Sequence, residues 1–592
     1  MPKYFMPVGN TDFREIRETG LYYIDKTMLI DQLVNQSRAK VTLFTRPRRF
    51  GKSLNMSMLQ HFFDIREDSK ALFEGLQVFE NKTLCTEWMN QYPTILVSFK
   101  DVESNSFESA FKRIRTEISK LYERYDYLYK NNSKLSELQK KLFEKILMRE
   151  SDEEDLKESL VLLTQLMYEY YGKHIILLID EYDVPMAKGD ANGYYREITD
   201  IMRSMYGKSL KDNPYIKIAV LTGCLRIAEE SIFTGLNNLS VKTITDTDYD
   251  ECFGFTNEEM NKLLADTELL HKHTVFKEWY DGYVFGDKEV YCPWDVLNYV
   301  DALQKEPDAL PINYWANTSG NDAIKRFLES RFDVSADFEK LLGGGFVEKI
   351  INPDITYGDL TKDETNLWSV LYMTGYLTIL PGSLPKSKSC ENDDMRGKFD
   401  VPFKLKFPNM EIKRLFEKTI AVWFKERILA DDRTELFAAL WSGDAVQLAN
   451  IISRYLRSTI SYHDYSEQFY HAFLTGLFSG VGNVSVRSNR EVGEGRADVI
   501  VKNEYTNQAV VIELKITDSP AKAAAKCDEA LRQIEDKGYA VPLSEDEGYD
   551  VTVYGAVFYK KRCFIKKREF DENQTCKGSL GILRDGFLGM KE

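Results

Sequence analysis

The chain has 592 residues, 43% of them hydrophobic and 13% aromatic. At ~100–200 residues per domain this is material for three or four domains, and it excludes a disordered, collagenous or disulfide-knotted chain. With 78 basic against 93 acidic residues the net charge is −15, so the surface is not coated for non-specific nucleic-acid binding and any such contact needs local basic patches.

From residue 1 to about 290, buried strands alternate with amphipathic helices. KVTLFT at 40–45 runs through a loop into the helix SLNMSMLQHFF. LKESLVLLTQLMYEYYG precedes the strand HIILLID, and IKIAVLTG at 216–223 follows a helix at 196–206. Continuous apolar strands separated by helices predict βαβ units and a parallel sheet covered on both faces. Residues 291–385 read as helical with short turns. PGSLPKSKSCENDDMRGK, 381–398, is rich in turn formers and charge and reads as a linker or exposed loop. Beyond 400 the pattern is globular again, and between 465 and 560 it runs αβββαβ. The expected boundaries are therefore 1–290, 291–399 and 400–592.

Two motifs carry chemistry in the first part. Gly51-Lys52-Ser53 stands where a buried strand gives way to a helix, where free N–H groups and the helix dipole favour phosphate. The loop Arg46-Pro47-Arg48-Arg49-Phe50-Gly51-Lys52-Ser53 departs from GxxxxGK[ST] in its first position, which holds Arg46 in place of glycine. Lys52 is expected on the β- and γ-phosphates of ATP and Ser53 on Mg²⁺. HIILLIDEYD then sets Asp180 and Glu181 at the end of a buried strand: Asp180 for the Mg²⁺ shell, Glu181 to polarise the attacking water. Thr222 tips a third strand as a γ-phosphate sensor, with Arg226 just after it.

The second centre combines Asp498 on one strand with Glu513-Leu514-Lys515 on the next. Antiparallel pairing brings the two carboxylates together, and Glu513 and Lys515, two apart, share a face. Asp498, Glu513 and the Leu514 carbonyl are the expected oxygen donors to Mg²⁺, with Lys515 neutralising charge on a phosphate. Two basic clusters stand out, Arg46, Arg48, Arg49 and Lys52 early, and Lys560, Lys561, Arg562, Lys566, Lys567 and Arg568 late. His463 and His471 lie near this centre, His471 reading as a core residue. Trp279, Tyr280, Tyr283, Trp294, Tyr314 and Trp315 read as core packing.

The segments RPRRFGKS, LLIDEYD, LTGCLRIAEESIFTGLNN, WYDGYVFG and YWANTSGND resemble the bacterial AAA-ATPase-like domain. FYHAFLTGL, SNREVGEGRADVIV, VIELKI and ALRQIEDKGYA resemble the PD-(D/E)XK nuclease-superfamily domain often fused to it. The resemblance covers nearly the whole chain, and Arg46 suits that family's form of the loop. It implies an α/β architecture: a P-loop NTPase parallel sheet, a helical middle region and a C-terminal restriction-endonuclease-like domain. It also implies that Asp498, Glu513 and Lys515 are catalytic, with Glu467 and Gln533 at accessory positions facing metal or nucleic acid.

No apolar run approaches the ~18–20 residues of a membrane helix, and MPKYFMPVGN lacks a secretory apolar core. The eight cysteines are scattered without ligand spacing, as reduced thiols in a cytoplasm would be. The expectation is an ATP- and Mg²⁺-using nuclease acting on nucleic acid, DNA first, under nucleotide control, with no membrane partner and a homo-oligomer left open. The alternative is a nucleotide-dependent switch or scaffold whose nuclease fold binds nucleic acid or a partner without cleaving.

Overall fold

Five strands of almost unbroken apolar sequence build the first sheet: β1 (Val41–Thr45), β2 (Thr94–Ser98), β3 (Ile175–Asp180), β4 (Ile216–Gly223) and β5 (Leu239–Lys242). All pair in parallel, in the order β2-β3-β4-β1-β5, so β4 lies between the loop-bearing β1 and the acid-tipped β3. The computed structural model of the chain describes residues 4–37, 39–130, 135–225, 238–315, 335–353, 355, 363–384, 399–419, 432–458, 467–479, 482–492, 495–569 and 578–581. Arg226 and His463 lie outside these. The described chain divides into two compact units, residues 1–330 with 346–415, and residues 331–345 with 416–592.

In the first unit, α1 (Lys52–Phe63) leaves β1 through the loop 46–51. Helices α2 (Phe107–Arg124), α3 (Glu153–Tyr171) and α4 (Tyr195–Leu210) cover the sheet. Leu160, Leu163 and Met167 of α3 and Met202 and Tyr206 of α4 share one core with Leu43, Ile95, Leu177 and Leu221. Each such side chain contributes ~1.5–3 kcal/mol by leaving water. α3 opens on a reciprocal cap between Asp152 and Asp155, satisfying N–H groups that the helix leaves free. Registers Thr45↔Gly223 and Ser98↔Asp180 align the C-terminal ends of the strands, where open parallel sheets bind ligands.

Two small antiparallel sheets complete this unit. β6 (Phe255–Thr256), β7 (Tyr283–Phe285) and β8 (Lys288–Tyr291) form one, followed by α5 (Pro293–Lys305). β9 (Val347–Lys349), β10 (Thr378–Ile379) and β11 (Phe403–Lys406) form the other, the first two inside the region expected to be helical and the third just beyond it. Their two- to four-residue strands are too short to register as an alternation in sequence. Gly282, at φ +88°, allows a close approach of the chain: a Cβ there would stand 2.1 Å from the Pro408 carbonyl oxygen. That contact packs the chain at Pro408 onto the WYDGY segment.

The second unit carries the expected αβββαβ order and two further strands. α6 (Thr434–Ser442), α7 (Ala445–Ser458) and α8 (Glu467–Phe478) precede β12 (Val484–Val492), β13 (Gly495–Asn503) and β14 (Gln508–Ile516). α9 (Ala523–Asp536), β15 (Asp550–Tyr559), β16 (Arg562–Glu569) and β17 (Gly578–Gly581) follow. The strands lie in chain order in one sheet, with β14–β15 parallel and the other pairs antiparallel. α6, α7 and α8 pack on one face, and α9 packs on the other through Leu531 and Ile534 against Ile500 and Val511.

The late basic cluster falls on β16 and the turn before it, and strand alternation divides it. Lys566 pairs with Asp528 (2.6 Å) and Arg568 with Glu535 (2.5 Å), both on α9, whereas the Lys567 amine lies against Gly443. These cations do not form one continuous patch. Among the described residues no helix is long and apolar enough to cross a membrane, and the six described cysteines are unpaired thiols.

Candidate functional site

In the first unit the hydroxyls of two strands and one helix converge on one carboxylate. Asp180 accepts from Ser53 Oγ (2.8 Å) and Ser98 Oγ (3.3 Å) through Oδ2, and from Thr222 Oγ1 (2.6 Å) through Oδ1. Burial, with the neighbouring Glu181, pushes its pKa up, opposed by the hydroxyls and Lys52. Thr222 thus serves Asp180, as does Ser53, and the pair Ser53–Asp180 has the donor types of a Mg²⁺ site completed by phosphate and water.

Lys52 is buried, 4% exposed. Its ammonium donates to the Arg46 and Pro47 carbonyls (both 3.2 Å) and lies 3.6 Å from Glu181. Burial opposes the charge, yet Cys224, Glu181, Asp183 and Asp180 together raise its pKa, so it is a permanent cation. Glu181 stands at φ +53°, a left-handed conformation rare for a side chain with a Cβ, directly after β3. Asp183, a third acid of the same motif that sequence reasoning passed over, is buried and accepts from the Cys224 (2.9 Å) and Leu225 (3.1 Å) amides. It anchors the end of β4 beside the loop.

The loop itself is built from outside. Arg46 is fully buried, and its guanidinium donates to the carbonyls of Thr45 (2.9 Å), Lys242 (2.9 Å) and Tyr249 (3.3 Å). It also stacks over Phe253 (5.1 Å) and Phe285 (5.4 Å). The side chain expected among the phosphate ligands is therefore turned into the core, and Arg46 contributes its carbonyl to Lys52. Phe50 likewise packs edge-on against Tyr283, and Pro47 lies against Gly375, so these two shape the loop without facing a ligand. Gly51 caps α1 at φ +83°, a conformation that favours glycine.

Beside the loop lies a cavity of about 280 Å³, lined by Arg48, Arg49, Gly51, Lys52, Ser53 and Glu181 from the motifs. Near Arg49, which lines it, sits a buried acid. Asp295 on α5 is fully buried with Cys292, Glu411 and Arg49 around it, and burial pushes its pKa up to about 7. Asp281 is pushed up to about 6 by the same cause. Their folded pKa values exceed ~3.9, the unfolded value, so the folded state holds more protons between these limits. Stability is fully present below pH ~4 and is lost as pH rises through 6 to 7. Asp295→Asn is expected to flatten the fall in melting temperature between pH 5 and 8. It should be the more stable protein above pH 7, by on the order of 2–4 kcal/mol. A variant melting with the wild-type pH slope would refute this.

In the second unit Asp498 and Glu513 meet as expected. The β13–β14 register, Val499↔Ile512, sets Asp498 opposite Glu513, and Asp498 Oδ2 accepts from the Leu514 amide at 2.8 Å. Glu513 is 2% exposed; Oε1 accepts from Lys515 Nζ at 2.9 Å, while the buried Oε2 has no hydrogen-bond partner among the described residues. Burial first, then Asp498 and Glu467, push its pKa up to about 7 against the pull of Lys515. Glu467, first residue of α8, is thus close enough to act on Glu513 and Lys515. Gln533 lies on α9 and is half-buried. His471 Nε2 lies 2.7 Å from the Asp498 carbonyl oxygen and so braces the β13 backbone. Leu514 is buried in the core, offering only its backbone.

Among the described residues no three His, Cys, Asp or Glu side chains cluster as a metal cage. Two carboxylates and a carbonyl suit Mg²⁺, which keeps waters and takes few protein ligands. A buried, unpartnered carboxylate oxygen facing a second carboxylate fits such a cation.

Residues 7–233 match the family model described as a predicted AAA-ATPase, and residues 465–568 match that of the PD-(D/E)XK nuclease superfamily. The chain is also 24% identical over 556 residues to an uncharacterized protein in the vnfD 5' region of Azotobacter chroococcum mcd 1, spanning 91% of this chain and 94% of that one.

Proposed function

We propose that the chain, AAA-ATPase-like in its N-terminal part and nuclease-like in its C-terminal part, is a Mg²⁺-dependent nuclease that binds and hydrolyses ATP and cuts DNA under nucleotide control. The observation that carries the nuclease half is the buried Glu513 carboxylate, with one oxygen on Lys515, the other unpartnered, and Asp498 opposite. Divalent metal bound there would be held by Asp498, Glu513 and the Leu514 carbonyl, and would polarise the phosphate and lower the pKa of attached water. Lys515 holds a proton throughout, since Glu513, Glu467 and Asp498 raise its pKa despite burial. Its ammonium orients Glu513 and offsets charge that develops on the phosphate.

In the ATPase half, Lys52 supplies a fixed cation to the phosphates and Asp180 orients the Ser53 hydroxyl. Glu181, 3.6 Å from the Lys52 ammonium, would polarise the attacking water.

The test is cleavage of linear, supercoiled and single-stranded DNA by purified protein in Mg²⁺, with and without ATP. Cleavage that requires Mg²⁺ and changes with ATP is the expected result. A folded, ATP-binding protein that cuts no substrate in Mg²⁺ would overturn the nuclease reading in favour of a nucleotide-dependent binding module.

A further inference from the structure

The cavity beside the phosphate loop has two kinds of wall. One is charged, with Arg48, Arg49, Lys52 and Lys100 beside Glu103 and Glu181. The other is neutral and built from elements far apart in sequence: Val8, Asn10 and Thr11 from the N-terminal segment, and Pro293, Trp294 and Leu297 from α5. Its volume of about 280 Å³ is near the low end of the ~300–1,000 Å³ typical of ligand sites. Inorganic phosphate needs only the charged wall. The aromatic and aliphatic wall suits a flat, weakly polar group attached to that phosphate.

We infer that this neutral wall is a nucleoside pocket and that Trp294 is its stacking platform for the base of a nucleoside triphosphate; this rests on the ATP-binding reading above. Five features bear on it. Trp294 lies beyond the segment 7–233 matched by the ATPase-like family model, so no motif assigns it. Its ring is held in place: the indole Nε1 donates to the Tyr314 carbonyl (3.3 Å), and the Arg49 guanidinium lies 4.1 Å from the ring centroid. A ring set in advance loses little freedom on binding, which favours affinity. Through Arg49 the platform is also fixed to the phosphate loop, so base and phosphate are recognised by one connected piece of structure. Pro293 starts α5 and presets the backbone that presents the indole. The N-terminal wall is tied to α1 by the Phe13 amide, which donates to Ser57 Oγ (3.0 Å).

The experiment compares ATP with inorganic tripolyphosphate by titration calorimetry on the full chain, in wild type, Trp294→Ala, Trp294→Phe and Val8→Phe. Trp294→Ala is expected to weaken ATP roughly 10- to 100-fold, the range of one lost base–aromatic stack. Tripolyphosphate affinity should stay within about threefold, and Trp294→Phe should restore most of the ATP affinity. Val8→Phe, at a part-exposed position, fills the neutral side without touching the core; it should weaken ATP and spare tripolyphosphate, even if Trp294→Ala fails to fold. Equal ATP binding by wild type, Trp294→Ala and Val8→Phe would overturn the nucleoside pocket while leaving the phosphate site standing. Equal loss of ATP and tripolyphosphate in Trp294→Ala would also overturn it, since the indole would then act only by holding Arg49. Wild type that binds neither ligand would instead bring down the ATP-binding reading itself.

Discussion

Asp498→Asn is expected to lower Mg²⁺-dependent DNA cleavage by on the order of 10²–10³ or more, the scale seen when one preorganised electrostatic contact in a site is removed. Asparagine keeps the size of the side chain, and its oxygen can still accept from the Leu514 amide that Asp498 now holds at 2.8 Å. What it removes is one of the two carboxyl groups brought together across β13 and β14. The same change should relieve Glu513, whose raised pKa owes part of its shift to Asp498. Melting temperature should therefore hold or rise while the rate collapses, an opposition that a merely misfolded variant cannot produce. Initial rates on linear duplex, read beside thermal melts, check it. Undiminished cleavage with an intact fold would remove Asp498 from the site.

Lys52→Ala should weaken ATP by roughly 10- to 150-fold or more, the equivalent of one or more charge-assisted hydrogen bonds to phosphate. It should also destabilise the first unit. Asp180, Glu181 and Asp183 cluster around that ammonium, and Asp180 and Asp183 already have raised pKa values through burial. Removing a buried cation that all three share leaves charge less well compensated, a change that costs ~3–5 kcal/mol in comparable settings. The loss should shrink as pH falls and the carboxyls take up protons, so melts at pH 5 and 8 separate it from a packing defect. Cleavage by this variant in saturating ATP tests the link between the halves. Wild-type behaviour, with an unchanged ATP response, would make the two centres independent.

Much of this was readable from local pattern. Continuous apolar strands ending in Asp180 or Thr222 place those residues at the C-terminal edge of a parallel sheet, because no other position suits an acid on such a strand. The two-residue step from Glu513 to Lys515 likewise placed both on one strand face. Local pattern failed where a partner far along the chain decides the outcome. Arg46 turns inward because its guanidinium finds carbonyls 196 and 203 residues away, and nothing in RPRRFGKS records them. Trp294 read as core packing like its aromatic neighbours; what distinguishes it is a cavity assembled from residues 7–11 and α5. The run Lys560–Arg568 resembled a patch until α9 supplied Asp528 and Glu535.

The inward Arg46 makes the phosphate loop a poor cassette. In a glycine-led loop the backbone's own freedom lets the chain curl, so the motif carries its shape wherever it is moved. Here the curl is pinned by Lys242 and Tyr249 and wedged by Phe253 and Phe285. An eight-residue graft of RPRRFGKS into another scaffold would bring the letters without the curvature. Conversely, changes near residues 242–253, remote from the loop in sequence, would reshape it while its signature stays intact.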